Sequence, residues 1–136
     1  MNIRGERNLS ILLSGMAPEL SADNYVFCLT ESDSAVNEGE FFTQIREKEG
    51  ITFITDQLTA DRLYMRYDSL YRKITLNVHS DLKAVGLTAA VSTELAQHGI
   101  SANIIAGFYH DHIFVPAERA EEALLVLCSL SRSVRN

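Results

Sequence analysis

The sequence predicts an α+β fold of ferredoxin-like βαββαβ units in tandem, with antiparallel sheets and helices on one face. Three observations predict it. The second half alternates between period-two and helical apolar patterns in the order strand, helix, strand, strand, helix. A faint internal repeat sets Gly50 on Gly99, Ile51 on Ile100 and Phe27 on Leu76. Apolar residues make up 46% of the 136, enough for a core without disulfide or metal support.

The second half is the clearer one. In "RKITLNVHS", Ile74, Leu76 and Val78 alternate with Thr75, Asn77 and His79, as in a half-buried strand. Ala84, Leu87, Val91 and Leu95 then recur at helical spacing, and Gly99 supplies a stop. "ISANIIAGF" alternates again, and "HIFV" follows it across a turn read as Tyr109, His110 and Asp111. The last helix begins near Pro116, with Glu118, Glu121 and Glu122 early and Arg132 and Arg135 late, matching its dipole. This unit lacks its final strand, which would leave a sheet edge open.

The first half supplies candidates. "LSILLSG" is a short apolar run, and the stretch Ile11 to Gly15 is expected to close the second sheet by strand exchange between the units. "NYVFCLT" and "ITFIT" read as strands. "NEGEFFTQIREKEG" reads as a helix with Phe41, Phe42 and Ile45 inward and "REKEG" as its solvated end. "DQLTADRL" reads as a short helix capped by Asp56. The acidic run "TESDSAVNEGE" reads as a loop. Residues 1–70 and 71–136 are taken as the two units.

The totals exclude several classes. Twelve Lys and Arg against eighteen Asp and Glu give a net charge of −6, which disfavours phosphate-backbone binding. The short basic runs "RLYMRYDSLYRK" and "SRSVRN" are read as solvated segments, so no nucleic-acid partner is expected. No apolar run approaches the length of a membrane span. The charged start "MNIRGERNLS" argues against a secretory signal. Cys28 and Cys128 sit in apolar runs as reduced thiols, so a cytoplasmic location is expected.

The stretch from Ile74 to Val115, with Asp81 in a loop, Gly86 opening a helix and Ile100 to Ile104 as second strand, resembles an ACT domain. The whole chain resembles small tandem ACT-like bacterial proteins, through "TLNVHSDLKAVGLTA", "AGFYHDHIFVP", "YVFC" and "EGITFI". The resemblance implies a regulatory module without catalytic activity that binds a small molecule, often an amino acid. It places ligand contacts at His79, Ser80, Asp81, Val85, Gly86, Leu87 and Thr88, with Asn103 on a neighbouring strand.

Elementary chemistry supports that placement. A helix start offers unpaired N–H groups to a carboxylate. Gly86 would admit close approach, and Asp81 could receive an ammonium group. Each residue also has a purely structural reading: Asp81 as a cap, Gly86 as a packing residue, His79 as a strand end. "GFYHDH" carries two imidazoles, yet zinc needs three or four ligands and the sequence offers no second cluster at ligand spacing. No nucleophile elbow is present, so neither a metal, a cofactor nor a catalytic residue is assigned. A homodimer is expected, using Ile105 and Tyr109 on the non-core face, and any output passes through a protein partner or a change of assembly. The alternatives are an oligomerisation module with an empty pocket and a small enzyme using the His-rich turn.

Overall fold

A computed structural model describes residues 3–30 and 41–135. The elements run α1 (Leu9–Ser14), β1 (Pro18–Thr30), β2 (Thr43–Arg46), β3 (Ile51–Asp56), α2 (Gln57–Arg62), β4 (Tyr71–Leu76), α3 (Leu87–Gln97), β5 (Asn103–Ala106), β6 (Asp111–Pro116) and α4 (Ala120–Arg135), with a 3-10 turn at Ala117–Arg119. The strands form one antiparallel sheet in the order β2-β3-β1-β4-β6-β5.

The strand the second unit lacks comes from the first half, as strand exchange requires, but from a different stretch. β1 is one long strand with an irregularity between Leu20 and Asn24. Its first part pairs Pro18 with Leu76 and Leu20 with Ile74, and its second part pairs Tyr25 with Asp56 and Thr30 with Ile51. Arg72 fastens the kink by donating from Nε to the Ser21 carbonyl at 3.0 Å, and the Ser21 hydroxyl accepts the Lys73 N–H at 3.1 Å. The stretch Ile11 to Gly15 is instead helix α1 and its cap. The Asn8 side chain accepts the Ile11 N–H at 3.1 Å, and Leu12 and Leu13 point into the core.

The expected helix over "NEGEFFTQIREKEG" is also corrected. Glu47 and Gly50 exchange backbone hydrogen bonds across a tight turn, so β2 and β3 form a hairpin and "REKEG" is its turn. Residues 37–40 of that stretch, and the acidic run from Glu31 to Glu40, lie outside the described residues. Asp56 caps α2 as expected, accepting the Thr59 N–H at 2.9 Å and the Thr59 hydroxyl at 2.7 Å.

Among the described residues, α1 to α4 all cover one face. Ile74, Leu76, Ile113 and Val115 meet Leu12 and Met16, Val91 and Leu95 of α3, and Ala123 and Leu127 of α4. Beside them, Val26, Cys28, Ile51 and Phe53 pack under α2 through Ala60. The 3-10 turn before α4 is tied back to the residues that end α3, because Arg119 donates to the His98 carbonyl at 3.0 Å and the Gly99 carbonyl at 3.3 Å.

The opposite face is not bare. Phe114 and Ile54 are fully buried there. Phe114 stacks edge-on against Tyr25, Phe27 and Phe42 at centroid distances of 5.7, 5.5 and 5.6 Å. Phe42 donates its N–H to the Ile54 carbonyl, so it stands in the line of β2, four strands from β6. In a flat sheet that is about 19 Å, more than two side chains can bridge. The sheet is therefore strongly twisted and curled toward this face, and aromatic rings fill the hollow.

Candidate functional site

The loop between β4 and α3 is held by the chain's first described residues. The Glu6 N–H donates to the His79 carbonyl at 2.8 Å, and the Asp81 N–H donates to the Glu6 carbonyl at 3.0 Å. Gly5 lies so close that a Cβ would stand 2.6 Å from backbone atoms of His79, Ser80 and Asp81. Only glycine fits there. Residues 3–9 thus form a strap over the loop.

Strap and loop enclose a cleft of about 280 Å³ lined by Ile3, Arg4, Gly5, Arg7, His79, Asp81, Leu82, Lys83 and Phe108. Three cationic residues, Arg4, Arg7 and Lys83, line it with one carboxylate, which is already engaged. Asp81 Oδ1 accepts the Lys83 N–H at 2.8 Å and lies 3.4 Å from Arg7 Nε. The Lys83 N–H above all holds the Asp81 carboxyl below the usual carboxylate range; burial opposes it, and the Arg7 and Arg4 guanidiniums add to the lowering. The apolar wall continues into a ring cluster, with His79 5.8 Å from Phe108 and 5.0 Å from Tyr109. Ile3, Leu82 and Phe108 are all exposed. The cleft therefore suits an anion that carries an apolar part.

The predicted site residues divide. His79 and Asp81 line this cleft, and Ser80 forms the strap bridge with Glu6. Gly86 has the left-handed φ of 110° as the residue before α3, which favours glycine, but the Leu9 side chain covers it. Leu87 is core, Val85 is exposed, and Thr88 borders a small apolar gap. Asn103 stands apart, in a second cleft with Phe27 and Tyr71. Arg4, Arg7 and Lys83 were not foreseen. The adjacency of Lys83 to Asp81 was a usable signal, whereas nothing local announces that Arg4 and Arg7 fold onto a loop more than seventy residues away.

The histidine corner resolves into separate parts. Gly107 donates its N–H to the His110 carbonyl, so the turn is Gly107 to His110 and Asp111 begins β6 rather than ending the turn. His112 Nδ1 lies 3.0 Å from the Thr75 hydroxyl, on the aromatic face. Burial, then the charges of Lys73 and His110, pushes its imidazole below the ordinary range. Asp111 faces the other way, into the apolar gap with Leu87, Val91 and Ile113.

Burial raises the Asp111 carboxyl, and His110 opposes the shift only in part. A carboxyl raised by folding is ionised more readily in the unfolded chain. It costs stability as pH climbs from its unfolded pKa through its folded value, and the cost is constant above that. Asp111→Asn should therefore raise the melting temperature by a few degrees at pH 7, with the difference shrinking through about pH 4 and vanishing near about pH 3, where both states are protonated. Melting curves of both proteins across pH 3–8 check this, and an equal or lower melting point for the variant at pH 7 would contradict it.

Two family models match, each described as an ACT domain, one over residues 4–72 and the other over 67–129. Comparison with curated proteins finds no match. Among solved structures, a Vibrio cholerae protein of unknown function, described as a possible transport protein, is 46% identical with a TM-score of 0.80, over 90% of this chain and 95% of that one. The ligand-free regulatory subunit of aspartate kinase from Thermus thermophilus shares the fold at 12% identity and a TM-score of 0.56, over 83% of this chain and 95% of that one. E. coli aspartokinase III in complex with aspartate and ADP does so at 15% identity and a TM-score of 0.62, over 84% of this chain and 33% of that one. With ACT models over both halves and a relative of nearly half its residues identical, this chain belongs to the ACT domain family, as two ACT-type units in tandem.

Proposed function

We propose that the chain is a metabolite sensor that binds a small carboxylate, an amino acid or its close relative, in the cleft between strap and loop, and has no catalytic activity of its own. ACT domains are regulatory, ligand-binding modules, and this chain carries two. The observation that carries the finer reading is the lining itself. Arg4, Arg7 and Lys83 line the cleft with one paired carboxylate and the apolar walls of Ile3, Leu82 and Phe108. Because Leu9 covers Gly86, the carboxylate is met by these cations rather than by the amides at the start of α3. The same reading divides the chain near residue 70, takes Cys28 and Cys128 as free thiols in a cytoplasm, and pairs the protein as a homodimer that signals through a partner protein.

A thermal-shift screen of the twenty amino acids and their 2-oxo acids tests it. A ligand of the folded chain at a hundred times its Kd adds about 2.7 kcal/mol of stability. Lys83→Ala, an exposed position, should weaken the responding ligand about tenfold without lowering the melting point of the free protein. If no compound shifts the melting point, the chain is an oligomerisation module and the sensor reading fails.

A further inference from the structure

A second cleft, of about 260 Å³, opens at the far end of the sheet and is lined by Phe27, Asp68, Ser69, Tyr71 and Asn103. Its charge logic is the reverse of the first. It holds one exposed carboxylate, the hydroxyls of Ser69 and Tyr71 and a carboxamide, and among the described residues no Lys, Arg or His lines it. The Phe27 and Tyr71 rings meet at 5.1 Å and 62°, and both line the cleft together with Asp68. The neighbouring ring pair on the same face shows what such surface does here. Lys73 Nζ sits 4.8 Å from the Tyr25 ring centre and 4.6 Å from that of Phe42. Tyr25 pairs with Tyr71 in register, so the two ring pairs are adjacent. One pair is supplied with an ammonium by the chain; the other, among the described residues, is lined without one and shares its cleft with Asp68.

We infer that this second cleft binds a small organic ammonium ion, with its charge between the Tyr71 ring and Asp68 and its alkyl part on Phe27. Ring faces attract a cation through their quadrupole, and the attraction strengthens as the cation sheds water. The carboxylate adds attraction for a cation and repels the anions that suit the first cleft. A neutral molecule of the same shape would gain only the contact area. The site stands on its own residues and does not depend on what the first cleft binds.

Choline is a suitable probe, with 3,3-dimethyl-1-butanol as its uncharged isostere, both titrated into 15N-labelled protein at constant ionic strength. Choline should give saturable shifts at the amides of Phe27, Ser69, Tyr71 and Asn103, and bind at least about tenfold tighter than the isostere. Asp68→Asn and Tyr71→Leu should each weaken it about fivefold or more. Asp68 is exposed, so its variant keeps the fold and decides the matter even if Tyr71→Leu does not. Equal binding of the isostere, unchanged choline affinity in Asp68→Asn, or no saturable shift at those amides would each overturn the inference.

Discussion

Phe114→Ala is expected to destabilise the protein by about 3–5 kcal/mol, a large part of the about 5–15 kcal/mol typical of a domain. Phe114 is fully buried on the face away from the helices, where a sheet of this class often meets solvent. It is the ring on which Tyr25, Phe27 and Phe42 converge, and those three come from the first half of the chain while Phe114 comes from the second. Removing it leaves a void that β1 and β6, fixed on either side of β4, cannot close. Urea unfolding at pH 7 measures the loss. Tyr109→Ala, at 59% exposure, is the control and should change stability little. A loss below about 1 kcal/mol for Phe114→Ala would mean that the ring cluster is not a core and that the halves are joined by β1 alone.

That cluster also marks how far the sequence could be read. β4, α3, β6 and α4 were legible because each carries a full local period, such as Ile74 with Leu76, or Val91 with Leu95. α1 was not, because six residues of "LSILLS" satisfy a strand and a helix equally, and the decisive sign was the Asn8 cap. β2 was read as a helix because Phe41, Phe42 and Ile45 imitate a helical face. In the structure Phe41 turns to Phe53 under α2 and Phe42 to the opposite hollow. β1 hid behind its polar "SAD", where a kink rather than a break joins its two pairings. The site was half legible for a related reason. His79 and Asp81 follow from the loop after an apolar strand, whereas the cations opposite them arrive through Gly5, whose fit is a tertiary fact.

Gly5→Ala should therefore have an effect out of proportion to one methyl group. The added carbon would lie 2.6 Å from three backbone atoms of the loop, and backbone cannot swing aside as a side chain can. The strap must lift. Lifting breaks the hydrogen bonds of Glu6 with His79 and Asp81, and it withdraws Arg7 from Asp81 and both strap arginines from the cleft. Two hydrogen bonds cost about 1 kcal/mol each, so the melting point falls modestly while the sheet persists. Ligand affinity in the first cleft should fall further, by about a hundredfold, since two of its three cations leave together. Hydrogen exchange separates the two effects. The Glu6 and Asp81 amides should lose protection while those of β4 and β6 keep theirs. Protection retained at Glu6 and Asp81 would show that the strap tolerates a side chain at position 5, and the cleft would then have to be argued without it.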